Sequence, residues 1–255
     1  MYCNKSEILK NIRLNDEIYE MIILDKEISN KAEAGQFIHI KPYGTDYPLL
    51  RRPISINRIN RQNGAIAILY QLKGKGTIEL SRLESGDFLD VMGPLGNGFP
   101  IKNNKRCAVV GGGIGTAPLL ELAAQLENCD AYLGFRSDIY KIDAFEKVSK
   151  EVYIATEDGS AGIKGFVTDL LAGNLHKYDV IYTCGPKIMM KKVKELCKEN
   201  NTECYLSLEE RMGCGIGACL VCVCKTKADN EAGWHHSKVC SDGPVFNSEE
   251  VVFDV

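Results

Sequence analysis

No apolar run in this 255-residue chain approaches the roughly 18 residues that a membrane-spanning helix needs, so no membrane span is expected. The opening Met1-Tyr-Cys-Asn-Lys-Ser-Glu-Ile-Leu-Lys10 lacks the apolar centre of a secretory signal, which points to a cytoplasmic protein. An excess of one charge is missing too. Lys and Arg number 31 against 34 Asp and Glu, and a net charge of −3 gives no reason to expect nucleic acid. Internal repeats and low-complexity stretches are absent, which excludes a solenoid. Also missing is a G-x-G-x-x-G turn followed by an acidic residue about 20 positions on, so a bound nucleotide would not sit in the standard Rossmann mode.

Cysteine breaks this pattern of scarcity. Eleven cysteines could suggest a disulfide scaffold, but those belong to short secreted chains. Reduced thiols, four of them holding metal, fit this chain better. Within Glu210-Arg-Met-Gly-Cys-Gly-Ile-Gly-Ala-Cys-Leu-Val-Cys-Val-Cys224, Cys214, Cys219 and Cys222 have the C-x4-C-x2-C spacing of a plant-type [2Fe–2S] loop, which a later fourth cysteine completes. A flat two-iron cluster needs thiolates converging from a tight loop. Gly213, Gly215 and Gly217 allow positive φ there and let backbone N–H groups turn toward the sulfurs.

Two residues compete for the fourth position. Cys224 lies about 6–7 Å beyond Cys222 if the Val-Cys-Val-Cys run is extended, a poor place from which to close a compact site. A hairpin through the intervening segment can bring Cys240 back, and Cys240 is preferred. Trp234, His235 and His236 in that segment read as a surface loop. A Rieske-like site is disfavoured, because adjacent histidines rarely converge on one iron.

The 45% hydrophobic content suits two separate cores, and the patterning changes once along the chain. Up to about residue 100, short runs such as Glu17–Leu24, Gln36–Lys41 and Ala65–Gln71 alternate with the breakers Glu33-Ala-Gly35, Asn63-Gly64 and Ser85-Gly-Asp87. Strands at that density predict a small antiparallel barrel. After Pro100, strand and helix patterns alternate from Cys107–Val110 to Lys187–Glu199, which predicts a doubly wound parallel sheet. The expected organisation is a barrel over 1–100, an α/β domain over 101–208 and a small cluster-binding subdomain over 209–255.

Three stretches could hold phosphate. Gly111-Gly-Gly-Ile-Gly115 lies between a strand and a helix, where glycines admit a diphosphate to a helix N-terminus; a tight turn alone would need the same glycines. Leu50-Arg-Arg-Pro-Ile-Ser-Ile56 carries Arg52 and Ser55, a guanidinium and a hydroxyl for one phosphate, although an edge strand with a surface arginine would look alike. Lys73-Gly-Lys-Gly-Thr77 opens a short helix with the same double reading. Tyr182-Thr-Cys-Gly-Pro186 places Cys184 at a strand's carboxyl end, where such sheets bind ligands; a lone cysteine is more often a small buried hydrophobe.

Taken together and in order, the Arg-Pro-x-Ser strand, the Gly-x-Gly-Thr turn, Pro94-Leu-Gly-Asn-Gly98, the Gly-Gly-Gly-Ile-Gly turn and Cys-Gly-Pro resemble the ferredoxin–NADP reductase superfamily. The cysteine segment, with Val239-Cys-Ser-Asp-Gly-Pro-Val-Phe246, narrows this to a resemblance to the electron-transfer subunits of NAD-linked (class 1B) dihydroorotate dehydrogenases. It covers essentially the whole chain. The resemblance implies FAD on Arg52, Pro53, Ile54 and Ser55, beside Leu69, Tyr70 and Gln71, with Gly76 and Thr77 at its diphosphate. It implies a [2Fe–2S] cluster on Cys214, Cys219, Cys222 and Cys240. It places NAD over Gly111, Gly112, Gly113 and Gly115 and over Cys184, Gly185 and Pro186.

The resemblance also implies a partner, an FMN-containing dihydroorotate dehydrogenase catalytic subunit in a two-plus-two heterotetramer. The chain is too short for an FMN-binding (β/α)8 barrel beside these domains, so no catalytic residue for the substrate is assigned to it. Two alternatives remain at this point. One is the flavin and iron–sulfur subunit of an NADH-dependent ferredoxin:NADP oxidoreductase or sulfide dehydrogenase. The other is a non-enzymatic nucleotide sensor with structural zinc, which C-x4-C-x2-C suits less well than paired short spacings. His39 and His176 read as structural, and Cys3, Cys107, Cys129, Cys197 and Cys204 as packing residues.

Overall fold

The computed structural model describes residues 1–44 and 49–253. The first six strands are β1 (Tyr2–Arg13), β2 (Ile18–Leu24), β3 (Phe37–Pro42), β4 (Arg52–Asn60), β5 (Ala65–Gln71) and β6 (Phe88–Leu95). They close an antiparallel barrel in the order β1-β2-β5-β4-β3-β6, as the density of strands and turns predicts. Period-2 alternation fills it: Ile8, Met21, Ile23, Ile38, Ile40, Ile56, Ile66, Ile68, Tyr70, Leu89 and Val91 form one buried cluster inside. Two short helices, α1 (Lys26–Lys31) and α2 (Lys75–Ser81), pack against it. The side chain of Asp25 caps α1 by accepting from Ile28 N at 2.9 Å.

The second layer holds β7 (Cys107–Gly112), α3 (Leu119–Gln125), β8 (Cys129–Phe135), α4 (Ile142–Glu146), β9 (Val152–Thr156), β10 (Ile163–Lys164), α5 (Val167–Asn174), β11 (Val180–Cys184), α6 (Lys187–Glu199) and β12 (Glu203–Ser207). The C-terminal segment adds β13 (Val223–Lys227), β14 (Trp234–Lys238), β15 (Val245–Asn247) and β16 (Val251–Val252). The large sheet runs β10-β9-β8-β7-β11-β12-β15, parallel except for its last strand. The chain leaves β7 first to one side and later to the other, so the order reverses between β7 and β11. That is the crevice where doubly wound sheets take ligands.

Barrel and sheet are pinned together beside that crevice. Asn57 on β4 donates to the Ala117 carbonyl at 2.8 Å, and the buried Glu121 of α3 accepts from Ile59 N at 3.0 Å and faces Arg58 at 3.6 Å. The segment around Trp234, His235 and His236 differs from the surface loop expected of it. It is the strand β14, paired residue for residue with β13 from Val223↔Lys238 to Lys227↔Trp234. The run Trp-His-His-Ser-Lys hides its strand character because it carries no apolar alternation and pairs with mostly polar residues of β13. Cys3 departs from expectation as well: it is exposed at the start of β1 and packs in no core.

Candidate functional site

On β4, Pro53 lies opposite His39 and Ser55 opposite Phe37, while Ile54 lies opposite the inward-facing Ile38. Directly opposed residues share a face, so Pro53 and Ser55 stand on the outside of the barrel. Arg52 reaches the start of α2, where a Cβ added to Gly76 would come within 2.0 Å of its Nε, so any side chain there would push the guanidinium aside. Its guanidinium also donates to the Leu50 carbonyl. Thr77 Oγ1 is engaged in its own turn, accepting from Lys73 N at 2.9 Å and donating to the Gly74 carbonyl at 3.0 Å.

The three expected residues of β5 divide between faces. Tyr70 points into the barrel and donates to Asn11 Oδ1 at 2.9 Å. Leu69 packs outside with Phe99 and the sheet residues, and Gln71 donates to Glu17 at 2.7 Å. A flavin on this face would therefore meet the Leu69 and Gln71 side chains and only the backbone of Tyr70.

The two turns expected at the nucleotide meet at the sheet's switch point. Cys184 is in register with Gly111 on one side and Ser207 on the other. A Cβ on Gly115 would stand 2.5 Å from the Cys184 carbonyl oxygen, and one on Gly112 would stand 2.9 Å from Pro186 Cδ. At Gly115, glycine is thus required by the close crossing of the Cys184–Gly185 backbone. Gly113, at φ +54°, has open space where a side chain would be, which suits the close approach of a phosphate. The Cys184 side chain is fully buried, and burial holds its thiol well above the usual value. That environment matches the small-hydrophobe reading, so Cys184 contributes its backbone to the crevice.

The cysteine loop brings the four proposed ligands together as two pairs. Cys214 and Cys219 sulfurs are 3.3 Å apart. Cys222 and Cys240 lie in one buried cluster, where Val239 N donates to the Cys222 carbonyl at 2.8 Å. Among the described residues no three His, Cys, Asp or Glu side chains surround one point. A two-iron cluster takes two thiolates on each iron, and Cys214 with Cys219 beside Cys222 and Cys240 would offer four. Backbone N–H groups already face the sulfurs: Ile216 N lies 3.5 Å and Cys219 N 3.4 Å from Cys214 Sγ, and Gly217 N lies 3.1 Å from Cys240 Sγ. Burial alone would push the Cys214 thiol up, but the backbone N–H groups of Ile216, Cys219 and Ala218, with the Cys219 thiol, outweigh it and bring it down to about 6. Cys224 stands apart on β13, in register with Ser237, its thiol pushed up to about 11 by burial and by Glu210. His235 is engaged with Thr226 and Ser237 at 3.3 Å, and the His236 ring lies tilted against Trp234, 5.1 Å between centroids.

Two contacts that sequence reasoning left without a role hold this loop to the barrel. In the Pro94–Gly98 turn, Asn97 N donates to the Gly243 carbonyl at 2.6 Å, and its side chain donates to the Ser241 and Asp242 carbonyls at 3.2 and 3.0 Å. A Cβ on Gly96 would lie 2.5 Å from Pro244 Cδ. The second contact is His39, read as structural from the sequence. Its ring is buried against Gly215, and burial, with Arg51 and Arg52 nearby, lowers its pKa to about 4. Phe37, Met92 and Leu95 of the barrel share one buried cluster with Cys222, Val239, Cys240 and Phe246.

An antiparallel barrel followed by a doubly wound sheet, with a thiol-rich loop packed on the barrel's outer face, defines a protein of the ferredoxin–NADP reductase type that carries an iron–sulfur segment. The solved structure of an NADH-dependent reduced ferredoxin-NADP oxidoreductase has the same fold, with a TM-score of 0.86 at 30% identity over 97% of this chain and 89% of that one. Residues 209–252 match the model of the iron–sulfur cluster binding domain of dihydroorotate dehydrogenase B. The dihydroorotate dehydrogenase B (NAD(+)) electron transfer subunit of Clostridium perfringens is 46% identical over 98% of both chains, and that of Caldanaerobacter subterraneus is 43% identical over 98% of both. The chain belongs to the family of dihydroorotate dehydrogenase B electron transfer subunits.

Proposed function

We propose that this chain passes electrons from the FMN of a dihydroorotate-oxidising catalytic subunit through a [2Fe–2S] cluster and FAD to NAD+, in pyrimidine synthesis. The observation that carries this reading is the placing of two thiol pairs, with N–H groups turned to their sulfurs, against the outer face of β3 and β6 beside the Arg52–Ser55 strand. Nicotinamide exchanges two electrons together and the cluster one at a time, and a flavin between them can do both.

The chain's own part is binding and orientation. Cys214 and Cys219 would hold one iron and Cys222 and Cys240 the other. Arg52, over Gly76, would supply the charge for the FAD diphosphate, with Pro53, Ser55 and the backbone of Ile54 along the ring system and Leu69 and Gln71 at its side. Gly111, Gly112, Gly113 and Gly115, with the Cys184–Pro186 backbone, would cradle the NAD diphosphate at the switch point. The three units of this reading are the barrel over 1–100, the sheet over 101–208 and the cluster segment over 209–255, the last lending β15 to the sheet. Oxidation of dihydroorotate is assigned to the partner, in a two-plus-two assembly. Free thiols at eleven positions suit the reducing cytoplasm, and no helix among the described residues is long and apolar enough to cross a membrane.

The ferredoxin:NADP oxidoreductase reading is the weaker one, resting on 30% identity where the dihydroorotate dehydrogenase B relative has 46%. Purification of the untagged chain with its native partners decides between them. Recovery of an FMN protein that reduces NAD+ with dihydroorotate is expected. A large glutamate-synthase-like partner would move the chain to the other reading, and a colourless protein holding only zinc would end both.

A further inference from the structure

His39 has no role in the binding assignments above, yet it occupies the joint between them. Along β3, Ile38 and Ile40 face the barrel interior while Phe37 and His39 face outward, toward the cysteine segment. His39 stands directly opposite Pro53 on the proposed flavin strand and opposite Met92 on β6. On its far side is Gly215, next to Cys214. That glycine has φ +73°, and a Cβ on it would lie 2.6 Å from Nδ1 and 3.2 Å from Cε1 of the imidazole. The loop rests on the ring with no atom between.

The ring is 1% exposed, and neither nitrogen has a well-formed hydrogen bond. A buried polar group without a partner is costly, and an apolar side chain of this size would fill the space without that cost. The Cys214–Gly215 backbone lies against the Nδ1 edge of the ring, and the nearby backbones of Arg51 and Cys214 favour the protonated form. A neutral imidazole has one N–H donor. Nδ1 is the nitrogen nearest Gly215, so its proton, when present there, is directed at the loop.

We propose that His39 is a positioning residue for electron transfer, fixing the cysteine loop at a set distance from the flavin strand through its ring and its Nδ1–H. No bond is made or broken in this role. The ring acts through the Cys214–Gly215 backbone, and so on the orientation of a cluster ligand, as outer-shell partners of metal sites do. The inference rests on the reading of Arg52–Ser55 as the flavin strand and of Cys214 as a ligand.

The test uses the full chain in its native complex, with His39→Phe to keep the ring's bulk without a donor and His39→Asn to return an N–H near the Nδ1 position. FAD and iron contents are measured first, then the EPR spectrum of the reduced cluster and the rate at which NADH reduces it. His39→Phe is expected to keep wild-type FAD and iron, to shift the EPR g-values and to slow cluster reduction about 10-fold or more. His39→Asn is expected to restore most of both. Wild-type spectrum and rate in His39→Phe would make the residue mere filler, and an Asn variant no better than Phe would remove the N–H from the account. If the Phe variant does not fold, the Asn variant decides alone: wild-type behaviour upholds the proposal, and a shifted spectrum with a slow rate at full iron content overturns it. Wild-type protein lacking FAD or cluster would instead sink the cofactor reading itself, and His39 with it.

Discussion

The cysteines of the parallel sheet and those of the C-terminal loop share a side chain and almost nothing else. Cys107 and Cys129 lie side by side in register on β7 and β8, and Cys197 and Cys204 meet between α6 and β12. All four are buried. Burial, with Asp179 and Glu203 nearby, pushes the Cys107 thiol up to about 11, and burial drives Cys129 higher still. In the loop, Cys214 is brought down to about 6 by backbone N–H groups. The loop itself is graded: Cys240, buried against the Cys222 thiol, is pushed up to about 12 although Gly217 N points at it. Between Cys214 and the sheet cysteines, the difference follows from whether the surrounding N–H groups are tied up in a sheet or turned toward the sulfur. Regular strands spend their N–H groups on neighbouring strands. The turns at Gly215 (φ +73°) and Gly217 (φ +78°) leave the N–H groups of Ile216, Gly217 and Cys219 facing sulfur.

The contrast can be broken most severely at a ligand. Cys222→Ser should abolish the iron–sulfur absorbance and EPR signal while FAD stays bound, whereas Cys224→Ala should leave iron and sulfide contents unchanged. Iron retained by the first variant, or lost by the second, would mean that the thiols pair differently. A smaller effect is expected at the backbone. Gly217→Ala forces a side chain onto positive φ, which costs about 1–2 kcal/mol, and sets its Cβ 2.9 Å from Ser241 Oγ. Its cluster should be lost to a chelator roughly 10-fold faster than that of the wild type, read as the decay of the visible band. The smallest change should come from the sheet set. Cys129→Ala, a deletion about the size of one methyl group, should lower unfolding stability by about 1 kcal/mol in urea titration, with the cluster spectrum untouched. A changed spectrum there would erase the distinction between the two sets.

Much of this was legible before any coordinates. Alternation of apolar residues over Glu17–Leu24 and Ala65–Gln71 marks barrel strands because side chains on a strand change face at every residue. The spacing of Cys214, Cys219 and Cys222 marks a cluster loop because few other sites need it. The Trp234–Lys238 strand was not legible, since its polar residues pair with β13 and carry no alternation. Nor was the division of Leu69, Tyr70 and Gln71 between faces, which depends on where the barrel closes. Cys240 is preferred to Cys224 by reach along the strand, by the hairpin and by the family motif; in the fold Gly217 N points at Cys240 Sγ while Cys224 lies in register with Ser237 on β13.

Sequence alone determined the local decisions: which runs become strands, where glycine must turn the chain, and which thiols lie near one another in a short loop. These depend on neighbours a few residues apart, and sequence records such neighbours directly. Tertiary structure alone decided the joint between the carriers. Asn97 meets Gly243, and His39 meets Gly215, across separations of well over a hundred residues. Such contacts are set by the register of β3 between β4 and β6 and by the packing of Phe37, Met92 and Leu95 under the cysteine segment. No local pattern encodes a register against a distant partner, so a histidine that looks isolated in the chain is a contact in the fold.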